Sequence, residues 1–84
     1  MTATLALRIA DEDDAHALRR LAQLDDARAL TGEILVAVLD GEPVAALSLA
    51  DDRVIANPFV RTADVVSLLR MRAAHISPGL SRAA

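Results

Sequence analysis

Ile34-Leu35-Val36-Ala37-Val38-Leu39-Asp40-Gly41-Glu42-Pro43-Val44-Ala45-Ala46-Leu47-Ser48-Leu49 is the stretch that decides the fold. Its first six residues are apolar on both faces and rich in β-branched side chains, the pattern of a central strand covered from two sides. Asp40-Gly41 supplies the left-handed backbone that a two-residue hairpin turn needs. Pro43 to Leu49 then forms the return strand, with Pro43 at its start, where a missing N–H is tolerated.

Working outward from this hairpin, a second turn at Asp51-Asp52 leads into a strand over Arg53 to Ala56, which Asn57-Pro58 stops. Upstream, Leu5, Leu7 and Ile9 alternate with Ala6 and Arg8, so Leu5 to Ile9 is a half-buried strand. Asp11 stands at an N-cap position, and Asp14 is spaced to return a capping-box bond. The periodicity predicts a helix over roughly 12–26, with Ala15, Leu18, Leu21 and Ala22 on one side and Glu12, His16, Arg19, Arg20 and Gln23 opposite. Thr62 is an N-cap for a second helix running to about His75, stopped by Ser77-Pro78-Gly79. The expected order is β-α-β-β-β-α. This is an α+β fold with a four-stranded, mainly antiparallel sheet and two helices, a single domain over 1–76, and a flexible tail over 77–84.

Composition narrows the function classes. An 84-residue chain has room for one core. It contains no Cys, hence no disulfide framework, thiol nucleophile or cysteine-bound zinc, and a reducing, cytoplasmic setting is expected. With no Trp or Tyr, one Phe and a net charge of −3, neither base stacking nor phosphate-backbone binding is supported, so no nucleic-acid partner is expected. No apolar run approaches the ~18 residues of a membrane span, and no signal peptide is expected ahead of Asp11-Glu12-Asp13-Asp14. All nine basic residues are Arg, which with the abundant Ala suggests a GC-rich bacterial genome.

Leu7-Arg8-Ile9-Ala10 running into an acidic helix start, followed by Ala37-Val38-Leu39-Asp40-Gly41-Glu42-Pro43-Val44-Ala45-Ala46-Leu47, resembles the N-terminal half of the GNAT acyltransferase superfamily over roughly 6–74. The resemblance implies a half-GNAT sheet and, after its last strand, a loop of the form Q/R-x-x-G-x-G/A that cradles the acetyl-CoA pyrophosphate with backbone N–H groups. The matching stretch is Asn57-Pro58-Phe59-Val60-Arg61-Thr62, which has no glycine, so close approach of a pyrophosphate is hindered. Arg61, with Thr62 and Asn57, would be what remains for an anion. The second half of the family fold, with the splayed strand and the Tyr acid, is not expected here. Catalysis by the family mechanism is therefore not expected, and no cofactor is, with acetyl-CoA reserved for the alternative of a degenerate acyl-CoA or small-anion binder.

Other side chains carry a structural and a functional reading. Asp11 to Asp14 reads as a cap and dipole complement; a calcium loop would need a glycine and terminal glutamate that are absent, and no metal site is expected. His16 belongs to a charged helix face and His75 to a last helical turn. Ser48 lacks a nucleophile elbow and reads as a strand serine. Phe59 is expected to plug the core beneath its loop. In the second helix, Val65, Leu68, Leu69, Ala73 and Ile76 form a stripe that Val66, Met71 and His75 widen beyond one core-facing arc, with Arg72 inside it. Either Arg72 snorkels there, or the helix meets both its sheet and another subunit. The expected function is a non-catalytic interaction module acting as a homodimer. Its interface would involve Val54 on the open edge of the last strand together with Leu68, Met71, Arg72 and His75. A heterologous protein partner is the further possibility.

Overall fold

A computed structural model describes residues 4–76 of the chain. The expected Ser77-Pro78-Gly79 stop and the 77–84 tail lie outside the described residues. The described elements are β1 (Leu5–Ile9), a 3-10 turn (Glu12–Asp14), α1 (Ala15–Leu24), β2 (Ile34–Leu39), β3 (Glu42–Ser48), β4 (Val54–Ala56) and α2 (Ala63–Ile76). The four strands form one sheet in the order β1-β2-β3-β4, with every neighbouring pair antiparallel. The α+β architecture expected from the hydrophobic pattern is the one observed.

The β2–β3 hairpin turns through Asp40 and Gly41 at φ 52° and 87°, the left-handed pair that makes strand twist and turn twist agree. Asp40 is tied down further, because its carboxylate accepts the Thr4 N–H at 2.8 Å while its own N–H donates to the Thr4 carbonyl at 2.7 Å. A register shift between Ala37 and Val38 makes the pairing jump from Ala37↔Ala45 to Val38↔Pro43. This bulge lets the consecutive residues Val44 and Ala45 both join the core beneath α2, and it places Pro43 where an N–H is dispensable.

The two helices cover opposite faces. On one face Leu35, Ala37, Ala45 and Leu47 pack against Val65, Leu69 and Ala73 of α2, and on the other Val36, Ala46 and Ile55 pack against Leu21 and Ala22 of α1. Alternation along β2 and β3 therefore feeds two cores, which is why these strands are apolar on both sides. The first helix is shorter than the 12–26 expectation. Its acidic start closes as a tight 3-10 turn, and Asp25 and Asp26 leave the helix, with Asp26 at φ 50°.

Candidate functional site

The acidic start of α1 is committed to structure. Asp11 Oδ1 accepts the Asp13 N–H at 2.9 Å, and Asp14 Oδ2 accepts the Asp11 N–H at 2.8 Å, a reciprocal capping box. Arg8, from β1, donates to both oxygens of the buried Asp14 carboxylate at 2.7 and 2.8 Å. This fork-on-fork bond and the Asp11 N–H hold the Asp14 carboxyl down to about 2 and raise Arg8. Among the described residues no group of three or more His, Asp and Glu side chains is disposed to hold a metal ion. Ser48 is fully buried, and its hydroxyl donates to the Thr31 carbonyl at 2.9 Å, tying the α1–β2 connection to β3.

The loop between β4 and α2 turns inward on its own backbone. The Asn57 N–H donates to the Val44 carbonyl at 2.8 Å, the Phe59 N–H to Asn57 Oδ1 at 2.9 Å, and the Val60 N–H to the Asn57 carbonyl at 3.2 Å. These donors are unavailable to a ligand. Thr62 contributes its carbonyl, which accepts the Val66 N–H at 2.7 Å, and Arg61 is exposed. The expectation that Phe59 plugs the core is corrected: it is 82% exposed, because the side-chain turn at Asn57 carries residue 59 outward and Val60 packs inward in its place. Asn57 faces a cleft of about 240 Å³ shared with His16 and Arg20 of α1 and Glu42 and Pro43 of the hairpin. Arg61 and Thr62 do not line it.

The residues expected at an interface separate into two places. Leu68, Met71, Arg72 and His75 line one groove of about 290 Å³ with Leu7 of β1. Val54 lies on β4, at the opposite edge of the sheet, where it packs on the α2-side core. Because α2 rests on β2 and β3, its Leu68–Met71 flank overhangs β1 without covering it. The surface so left is apolar: Ile9 is 40% exposed, Leu68 40%, Met71 59% and Ile76 43%. A His75 ring nitrogen donates to the Met71 carbonyl at 2.9 Å, capping the last turn of α2 beside the groove.

The β4 edge is less open than its sequence implies. The Asp25 carboxylate, just past α1, accepts the outward N–H of Ala56 at 3.0 Å. Arg53 reaches the carbonyls of Arg28 and Ala29 at 2.6 and 3.1 Å, drawing the α1–β2 connection alongside. The bond from the Arg53 N–H lowers the Asp51 carboxyl and fixes the turn before β4. Sequence reasoning overlooked Asp25, Leu7 and the Arg8–Asp14 pair. Arg8 six residues before an acidic cap was a visible signal for the last of these, whereas Asp25 and Ala56 meet only through the tertiary fold. No helix of the described residues is long and apolar enough to cross a membrane. Comparison with family models, with curated proteins and with solved structures finds no match to this chain.

Proposed function

We propose that the chain is a non-catalytic interaction module that works as a homodimer, on a fold resembling the N-terminal half of the GNAT superfamily. The observation that carries the reading is the apolar groove between β1 and the overhanging flank of α2, where Leu7, Leu68 and Met71 converge beside Arg72 and His75. Leaving Leu68, Met71 and Ile76 in water has a cost that a partner surface removes. Three polar groups that chemistry could use are engaged within the fold: Asp14 by Arg8, the Ser48 hydroxyl by the Thr31 carbonyl, and Asn57 Oδ1 by the Phe59 N–H. The order of strands and helices is the one the resemblance implies, while the engaged N–H groups of Asn57, Phe59 and Val60 favour a non-catalytic role over acyl transfer.

Sedimentation equilibrium tests this reading. A dimer at tens of micromolar, with a melting temperature that rises with protein concentration, is the expected result. A monomer with a concentration-independent melt overturns it.

The second reading, a degenerate acyl-CoA or small-anion binder, rests on the cleft that brings Asn57 to His16 and Arg20. Calorimetry with acetyl-CoA separates the two. Low-micromolar binding lost in Arg20→Ala favours the second reading, and no heat of binding favours the first.

A further inference from the structure

We propose that the second copy docks by adding its β1 to the outer edge of β1, antiparallel and centred on Leu7, so that the two sheets become one continuous sheet. This rests on the self-association reading above and specifies its seam.

The backbone sets the geometry. The Ala10 N–H donates to the Ile34 carbonyl, and the Asp40 N–H donates to the Thr4 carbonyl, so the even-numbered residues of β1 direct their backbone groups at β2. Leu5, Leu7 and Ile9 accordingly point theirs away from the sheet, since these groups alternate along an antiparallel strand. Their side chains share the face of Leu35, Ala37 and Leu39, the face that α2 covers only in part. One strip thus offers both unpaired backbone groups and apolar side chains, with the Leu68–Met71 flank as its wall. The β4 edge is screened by Asp25, and the β1 edge has no comparable bond from a side chain among the described residues.

The occupant and register follow from the strand's own sequence. In Leu5-Ala6-Leu7-Arg8-Ile9, the residues on the α2 side, Leu5 and Ile9, are apolar at symmetric positions about Leu7. A two-fold axis there sets Leu7 against Leu7 of the partner subunit and Leu5 against Ile9 of the partner subunit, using every outward backbone group of the strand. On the opposite face the same register sets Arg8 against Ala6 of the partner subunit. A two-fold axis on Arg8 would instead set two guanidinium groups directly opposite each other, which is destabilising. Only the axis on Leu7 pairs the outward groups of Leu5, Leu7 and Ile9 all at once, and it also keeps the two guanidinium groups apart. Asp14 already neutralises Arg8 within its own chain, so the seam adds no unpaired charge.

The chain contains no cysteine, so cross-linking reports the register without background. Leu7→Cys places two thiols across the axis within disulfide reach, whereas Ile9→Cys faces Leu5 of the partner subunit and not itself. Under mild oxidation Leu7→Cys should form covalent dimer at least ten-fold faster than Ile9→Cys. In the unsubstituted protein, the amides of Leu5, Leu7 and Ile9 should become protected from hydrogen exchange as concentration rises through the dimer range. A dimer by sedimentation whose Leu5, Leu7 and Ile9 amides stay unprotected overturns the strand pairing and leaves self-association intact. Cross-linking of Ile9→Cys at the rate of Leu7→Cys overturns the register. A monomer by sedimentation overturns both this inference and the reading beneath it.

Discussion

Asp25 accepts the Ala56 N–H at 3.0 Å, so a carboxylate at the end of α1 occupies the edge position where a fifth strand would bond. The bonds from Asn57 to Val44 and from Ser48 to Arg53 show that the neighbouring backbone groups face β3, which fixes the Ala56 N–H as outward. A charged acceptor on an edge donor both satisfies it and repels incoming strands. Asp25→Ala should speed hydrogen exchange at the Ala56 amide about ten-fold, the equivalent of one hydrogen bond of about 1.4 kcal/mol. It should also increase aggregation at high concentration. Unchanged exchange at Ala56 counts against the edge-capping role.

The Arg8–Asp14 pair makes stability depend on acid. The Asp14 carboxyl titrates near 3.8 when unperturbed and at about 2 in the fold, where Arg8 and the Asp11 N–H favour its charged form. A depressed carboxyl contributes stability that is fully present above the unfolded value and lost as pH falls through the folded one. Asp14→Asn should therefore cost about 1–2 kcal/mol at pH 7, discounted because Arg8 is half exposed. The gap between the variant and the unsubstituted chain should close as pH falls from about 4 to 2. Urea titrations across that range measure it, and a gap independent of pH contradicts the assignment.

What was legible in the sequence was the part set by local periodicity. Leu5 to Ile9 and Ile34 to Leu39 have the strand boundaries that their patterns specify, and Asp40-Gly41 turns as its residue types require. The α2 arc was also legible as too wide for one face, since Val65, Leu69 and Ala73 are buried while Leu68 and Met71 are not. The exposure of Phe59 was not, because hydrophobicity alone argues for burial while the Asn57 turn decides direction. Nor was the division of Val54 from the α2 flank. That depends on strand order, with Leu7 entering the groove only because β1 lies at the edge that α2 overhangs.

The hairpin turn isolates a backbone effect. Gly41 sits at φ 87°, and a methyl group added there would meet nothing within 4 Å. Gly41→Ala should thus destabilise through conformation alone, by about 1–2 kcal/mol, with no steric component. Asp40→Asn keeps a residue that tolerates the left-handed region and should cost less. Equal melting temperatures for Gly41→Ala and the unsubstituted chain would contradict the left-handed turn.

Phe59 and Leu69 invert the usual expectation from size. Phe59 is the larger side chain but is 82% exposed, whereas Leu69 is 0% exposed between α2 and the sheet. Truncating a buried leucine removes its transfer free energy and leaves a cavity, together about 2–5 kcal/mol. Truncating an exposed aromatic forfeits little burial, about 0.5 kcal/mol or less. Leu69→Ala should therefore lower the melting temperature by more than 8 °C, on the scale of roughly 4–8 °C per kcal/mol for a domain of this size, while Phe59→Ala shifts it by only a few degrees. Calorimetric melts of the two variants, at one protein concentration so that association is held constant, decide the point. A larger loss for Phe59→Ala than for Leu69→Ala would return the aromatic ring to the core and displace Val60 from beneath the loop.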